Sequence, residues 1–159
     1  MKPYLTPNPT LAFVIEWGVI IISILLVFSP FIYLGIKKWK KNLPVSWKQV
    51  VGAYVSSFAI YFIWEWVILV KIDMWLYNGF TNTGWLRNVL SGPSFKMIFI
   101  TMFGWPLLAF YCTKLIRDKF TFLNLSLTGV FGLIFLILLF ILYMFLSVSA
   151  LVNIGNNYL

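Results

Sequence analysis

The chain has 159 residues, of which 62% are apolar, 20% are aromatic and only 10% are charged. Soluble domains contain far fewer apolar residues, so this composition excludes an ordinary soluble core and indicates a membrane protein. Twelve lysines and arginines against four acids give a net charge of +8. These cations lie in short loops between apolar segments, which predicts contact with a lipid surface and no binding of nucleic acid.

The residues that the chain lacks restrict its chemistry. There is no histidine and only one cysteine, Cys112. Histidine is the commonest metal ligand and general base, and a lone cysteine cannot form an intrachain disulfide. We therefore expect no metal site and no cofactor, and a non-catalytic role is favoured over an enzymatic one.

Four apolar segments are long enough to cross a bilayer. They predict an all-α polytopic membrane protein in which four transmembrane helices form one bundle and residues 1–159 form a single domain. The Ser29-Pro30 pair interrupts the first segment, and Pro106 is expected to kink the third. The fourth is long enough to tilt or to project beyond the bilayer. The predicted spans are 11–36, 50–70, 95–116 and 122–152.

The basic residues predict an orientation, because positively charged loops are retained on the cytoplasmic side. Eight cations fall in the loops after the first and third spans: Lys37, Lys38, Lys40, Lys41, Lys48, Lys114, Arg117 and Lys119. The other side has Lys2, Lys71, Arg87 and Lys96. We expect both termini on the non-cytoplasmic side of a plasma membrane or an organellar inner membrane.

The segment 71–94 between the second and third spans is too polar to cross a bilayer and too aromatic for an ordinary solvated loop. Its rings are Trp75, Tyr77, Phe80 and Trp85. Aromatic rings favour the headgroup region, so we expect this loop to lie in the outer interface, with a short helix at 85–90. Its candidate contact residues are Lys71, Asp73 and Arg87.

Two glutamates are the least expected residues of the apolar spans, because an intramembrane carboxylate is costly and usually faces a partner or water. Glu16 and Glu65 each lie five residues from the outer end of a predicted helix, which places both about 7 to 8 Å deep. Spacings of three and four residues extend a polar stripe from Glu65 along the second span. The candidate polar site comprises Glu16, Glu65, Tyr61, Ser57, Tyr54, Trp17 and Trp66.

The two glutamates have two interpretations. They could bind a proton or an organic cation by charge and ring contact. Alternatively, each is a buried acid that is tied to Lys71, Arg87, Lys96 or a tyrosine hydroxyl and holds the outer loop onto the bundle.

Pairs of small residues four positions apart allow helices to approach closely. Gly52 with Ser56 and Thr128 with Gly132 are such pairs. They predict tight helix packing, within the chain or against other subunits.

Three functions are compatible with these features. The first is a non-catalytic accessory or structural subunit that packs its helices against partner helices in a larger membrane complex and presents the 71–94 loop on the outer face. The expected partners of the chain are the lipid bilayer and either other membrane subunits or, in a homo-oligomer, further copies of itself. The second is a small oligomeric transporter or channel that uses Glu16 and Glu65. The third is a membrane enzyme that acts on lipid at the outer interface.

Overall fold

A computed structural model describes residues 9–69, 71–72, 92–117 and 121–158. Within these ranges the chain forms helices and no strands. The predicted interfacial helix at 85–90 and the loop candidates Asp73 and Arg87 lie outside the described residues.

The described chain forms five helices, and two of them continue into short π-helical turns. We number the helices in chain order: α1 Pro9–Val27, α2 Ser29–Gly35, α3 Trp47–Trp64, α4 Pro93–Ile116 and α5 Phe122–Tyr158. The π-helical turns are Ile36–Lys40 after α2 and Glu65–Leu69 after α3.

Three helical segments are long and apolar enough to cross a membrane: Trp47–Leu69, Pro93–Ile116 and Phe122–Phe145. A fourth is present if the bent pair Phe13–Val27 and Ser29–Lys40 forms one span. The described part of the chain is therefore all-helical, with three to four candidate membrane-spanning helices, as expected of a membrane protein.

The first predicted span is two helices, which meet at an angle of 55°. Pro30 has no backbone N–H, so the carbonyl of Leu26 loses its usual donor; the Ser29 hydroxyl donates to it instead, at 2.7 Å. The N–H of Phe31 bonds to the carbonyl of Phe28, at 3.0 Å, and the Val27 carbonyl accepts from Ser57 of α3. The bend thus keeps its freed carbonyls hydrogen-bonded, as apolar surroundings require.

Pro106 does not divide its helix, since α4 is a single element from Pro93 to Ile116. The bend of 55° in the described chain is at the Ser29-Pro30 pair. There the bend is stabilised from outside, because the Tyr111 hydroxyl of α4 donates to the carbonyl of Phe31 at 2.8 Å.

The core lies where α3 packs against α1, α2 and α5 and where α4 packs against α1 and α5. Aromatic rings fill much of it. The ring of Tyr54 lies 4.9 Å from that of Phe31 and 5.8 Å from that of Phe135, both in edge-on arrangements, which aromatic pairs prefer. These contacts join α2, α3 and α5.

The pairing of α4 with α5 depends on close approach at two points. The hydroxyl groups of Thr113 and Thr128, both fully buried, lie 3.2 Å apart across the helix pair. One turn further along, the indole of Trp105 covers Gly132, where an added Cβ would lie only 1.9 Å from Nε1.

Candidate polar site at the start of helix α4

The two glutamates of the predicted site are deeply buried. Glu16, in the middle of α1, is 7% exposed, and Glu65, the first residue of the π-helical turn after α3, is 1% exposed. Both carboxylates lie against the first turn of α4.

Glu16 forms an ion pair with Lys96 of α4. Oε1 of Glu16 accepts from Nζ of Lys96 across 80 residues of sequence. The carboxylate is nearly covered while the lysine side chain is 35% exposed, so the lysine reaches inward from a partly open position. The pair fastens α1 to α4, and Lys96 is one of the cations that the anchoring interpretation named.

Glu65 interacts with the hydroxyl groups of Ser94 and Tyr61. Ser94 is 1% exposed and belongs to the first turn of α4, two residues before Lys96. Gly92 and Pro93 begin this helix, and the partial positive charge of a helix N-terminus favours nearby carboxylates. We call Glu16, Tyr61, Glu65, Ser94 and Lys96 the α4 clasp, because together they fasten α1 and α3 to the start of α4.

Oε2 of Glu65 is buried and has no hydrogen-bond partner among the described residues. A buried carboxylate oxygen without a hydrogen-bond partner costs free energy.

The polar stripe of α3 lies on its buried face, but its members have different neighbours. Tyr54, Ser57, Tyr61 and Glu65 are all buried. Only Tyr61 and Glu65 belong to the clasp. Ser57 bonds to the Val27 carbonyl, and the ring of Tyr54 packs edge-on against Phe31 and Phe135.

The tryptophans next to the glutamates face outward. Trp17 is 42% exposed and Trp66 is 46% exposed. Their ring neighbours include Phe13, 6.1 Å from Trp17, and Phe62 and Phe145, which lie 6.2 Å and 6.5 Å from Trp66. The structure thus brings the two carboxylates to α4 without gathering these rings around them.

The remaining candidates divide by location. Lys71 is exposed beyond the π-helical turn of α3, whereas Asp73 and Arg87 lie outside the described residues. Among the helix-packing candidates, Thr128 and Gly132 are buried between α4 and α5, while Gly52 and Ser56 lie on the exposed face of α3.

Ser94 is the clasp residue that the sequence analysis did not single out. The signal available for it was its place after Gly92-Pro93, a typical helix start, where small polar side chains often meet acids. The clasp contains one cation, two carboxylates and two hydroxyl groups, a set suited to fastening helices or to holding a proton.

No protein-family model, curated protein or solved structure matches this chain.

Proposed function

We propose that this chain is a non-catalytic accessory or structural subunit of a larger integral membrane complex. The observation that carries the proposal is the α4 clasp. Its charged groups are directed at other helices of the same chain, so the cost of intramembrane charge is offset by the fastening of three helices. A rigid bundle of this kind is suited to supporting partner helices.

The exposed face of α3 supplies a surface for such partners. Gly52, Ser56 and Ala59 are all exposed and recur at helical spacing, and an added Cβ at Gly52 would have no atom within 4 Å. Small residues and hydroxyl groups allow close helix approach in lipid, where dispersion contacts and interhelical hydrogen bonds drive association. This surface is unused within the described chain, which favours a helix from another chain.

The partner proposal predicts that the chain copurifies with a fixed set of other membrane proteins. After mild-detergent extraction at native abundance, an affinity-tagged chain is expected to retain them in constant stoichiometry. Gly52→Leu, which fills the close-approach surface, is expected to reduce their recovery about tenfold while the chain itself remains folded. Quantitative mass spectrometry of the purified material measures the recovery.

Gly18→Leu is the matched control, because a Cβ at Gly18 in α1 likewise meets no atom within 4 Å. It should leave the partner set unchanged. Recovery of a homo-oligomer alone, or equal loss of partners in both variants, would contradict the proposed role.

We propose further that both termini and the 71–94 loop lie on the non-cytoplasmic face of a plasma membrane or an organellar inner membrane. The proposal rests on the basic residues between α2 and α3 and around the end of α4. A membrane-impermeant maleimide applied to intact cells is expected to label Lys71→Cys and not Ser46→Cys. The native Cys112 is fully buried and gives little background. Labelling of Ser46→Cys alone would reverse the orientation.

The second candidate function is a small transporter or channel, and a specific observation favours it. Oε2 of Glu65 is a buried acceptor with no hydrogen-bond partner among the described residues, which suits a carboxyl group that gains and loses a proton. Proton or organic-cation flux in proteoliposomes that Glu65→Gln abolishes would establish this alternative. Unchanged flux would leave Glu65 with its fastening role.

A further inference from the structure

The clasp is at one end of the bundle, and a separate feature lies toward the other end. An open groove of about 260 Å³ runs between α3 and α5. It is lined by apolar side chains: Val51, Val55 and Phe58 on α3, and Phe131, Phe135 and Leu138 on α5. The groove opens on the surface of the bundle, where an apolar ligand in the membrane can enter it from the side.

A second hollow continues this groove toward the start of α3. It has a volume of about 440 Å³ and shares Val51 and Phe131 with the first. Its other lining residues include Trp47, Lys48 and Leu127. The segments from Trp47 to Phe58 on α3 and from Leu127 to Leu138 on α5 each advance by eleven residue steps, so the combined groove is about 16 Å long. That length suits part of an extended acyl chain.

The two ends of the groove differ in chemistry. Lys48, which is exposed, lies at the mouth, and the far end near Phe58 and Leu138 is apolar. The indole of Trp47 is held at the mouth because its Nε1 donates to Oδ1 of Asn124 at 3.3 Å. A fixed tryptophan beside a lysine is typical of the level at which lipid headgroups lie.

The surrounding charge selects the headgroup. The basic residues of the α2–α3 connection and the end of α4 lie at the same end of the bundle as Lys48, and the two acids that the structure describes, Glu16 and Glu65, lie at the other end. The sequence adds one acid on the basic side, Asp118, which is flanked by Arg117 and Lys119. The excess of positive charge complements an anionic headgroup.

We propose that the α3–α5 groove binds one anionic phospholipid, with its phosphate on Lys48 and an acyl chain along the apolar floor as far as Phe58 and Leu138. A zwitterionic lipid would fill the same floor but would leave the positive mouth without a complementary net charge. The groove adjoins the proposed partner surface on α3 but does not share its residues, because Gly52, Ser56 and Ala59 are not among the residues that line the groove.

Lipid retention tests the proposal on the full chain. The purified protein is exchanged into mixed micelles that contain equal amounts of phosphatidylglycerol and phosphatidylcholine with identical acyl chains, washed, and examined by native mass spectrometry. We expect one retained lipid per chain, with phosphatidylglycerol preferred. Lys48→Gln should lower that preference about fivefold, the effect of one cationic group near an anionic lipid, and Lys48→Arg should restore it.

Two matched controls separate the site from general attraction to basic loops. Lys40→Gln removes an exposed cation from the same end of the chain and should leave the preference unchanged. Val51→Trp fills the point that both hollows share and should reduce retention of both lipids, whereas Val67→Trp, at an exposed position of the same helical segment outside the groove, should not. Equal retention of the two lipids by the native chain, or equal effects of Lys48→Gln and Lys40→Gln, would overturn the proposal.

Discussion

Gly132→Ala is expected to destabilise the bundle strongly, by about 2 to 3 kcal/mol, because the added methyl group overpacks the α4–α5 contact. The new Cβ would lie 1.9 Å from Nε1 and 2.6 Å from Cδ1 of Trp105. Both atoms belong to a rigid ring, so the indole must move as a whole and α4 must separate from α5. The midpoint of chemical or thermal unfolding in a fixed detergent measures the effect.

A neighbouring glycine provides the control. A Cβ at Gly129 would meet the same indole at 3.8 Å, an ordinary contact distance. Gly129→Ala is therefore expected to be neutral or to stabilise the helix by up to about 1 kcal/mol, the difference in helix propensity between the two residues. Equal destabilisation by the two substitutions would show that the Trp105 contact does not determine the α4–α5 spacing.

A second substitution, at Trp105, tests whether the contact with the indole causes the destabilisation by Gly132→Ala. Nε1 of Trp105 is buried without a hydrogen-bond partner among the described residues, so a smaller apolar side chain there sacrifices packing but none of the described hydrogen bonds. Trp105→Leu is expected to destabilise the native chain by cavity formation but to recover part of the stability of the Gly132→Ala chain. Additive losses in the double variant would contradict the contact.

The small-residue pattern illustrates what sequence can predict of this packing. Thr128 with Gly132 and Gly52 with Ser56 follow the same four-residue spacing, and both predict close helix approach. The structure buries the first pair under α4 and leaves the second on the exposed face of α3. The spacing of small residues is a local pattern, whereas burial of a pair depends on which other helix packs against it. Sequence alone therefore could not distinguish the buried pair from the exposed one.

The spans were readable because apolar length is a local property, and a break at Pro30 is compatible with its missing N–H. The size of the bend could not be read from the sequence, because the bend is stabilised by hydrogen bonds from Ser57 and Tyr111, which belong to two other helices. The same limit applies to the clasp. Counting residues from the helix ends predicted that Glu16 and Glu65 lie at one depth. It could not predict their contact with α4, because this is a tertiary contact, across 80 residues of sequence for Glu16.

Lys96→Met is expected to be the second strongly destabilising substitution. It keeps most of the apolar stem of the side chain and removes the cation, so Glu16 keeps its charge in a position that is only 7% exposed. Loss of a hydrogen bond to a charged group costs about 1.5 to 3 kcal/mol, and partial exposure of Lys96 favours the lower part of that range. Unfolding midpoints in detergent, compared with those of the native chain, provide the measurement.

Lys71→Met is the matched control, because Lys71 is exposed just beyond the π-helical turn of α3 and removing its charge should change stability by less than about 0.5 kcal/mol. The double variant Glu16→Gln/Lys96→Met should regain part of the loss, since a neutral amide replaces a charged carboxylate at this buried position. This partial recovery tests the ion pair more directly than the single substitution does. A double variant that is no more stable than Lys96→Met would contradict a fastening role for the Glu16–Lys96 ion pair.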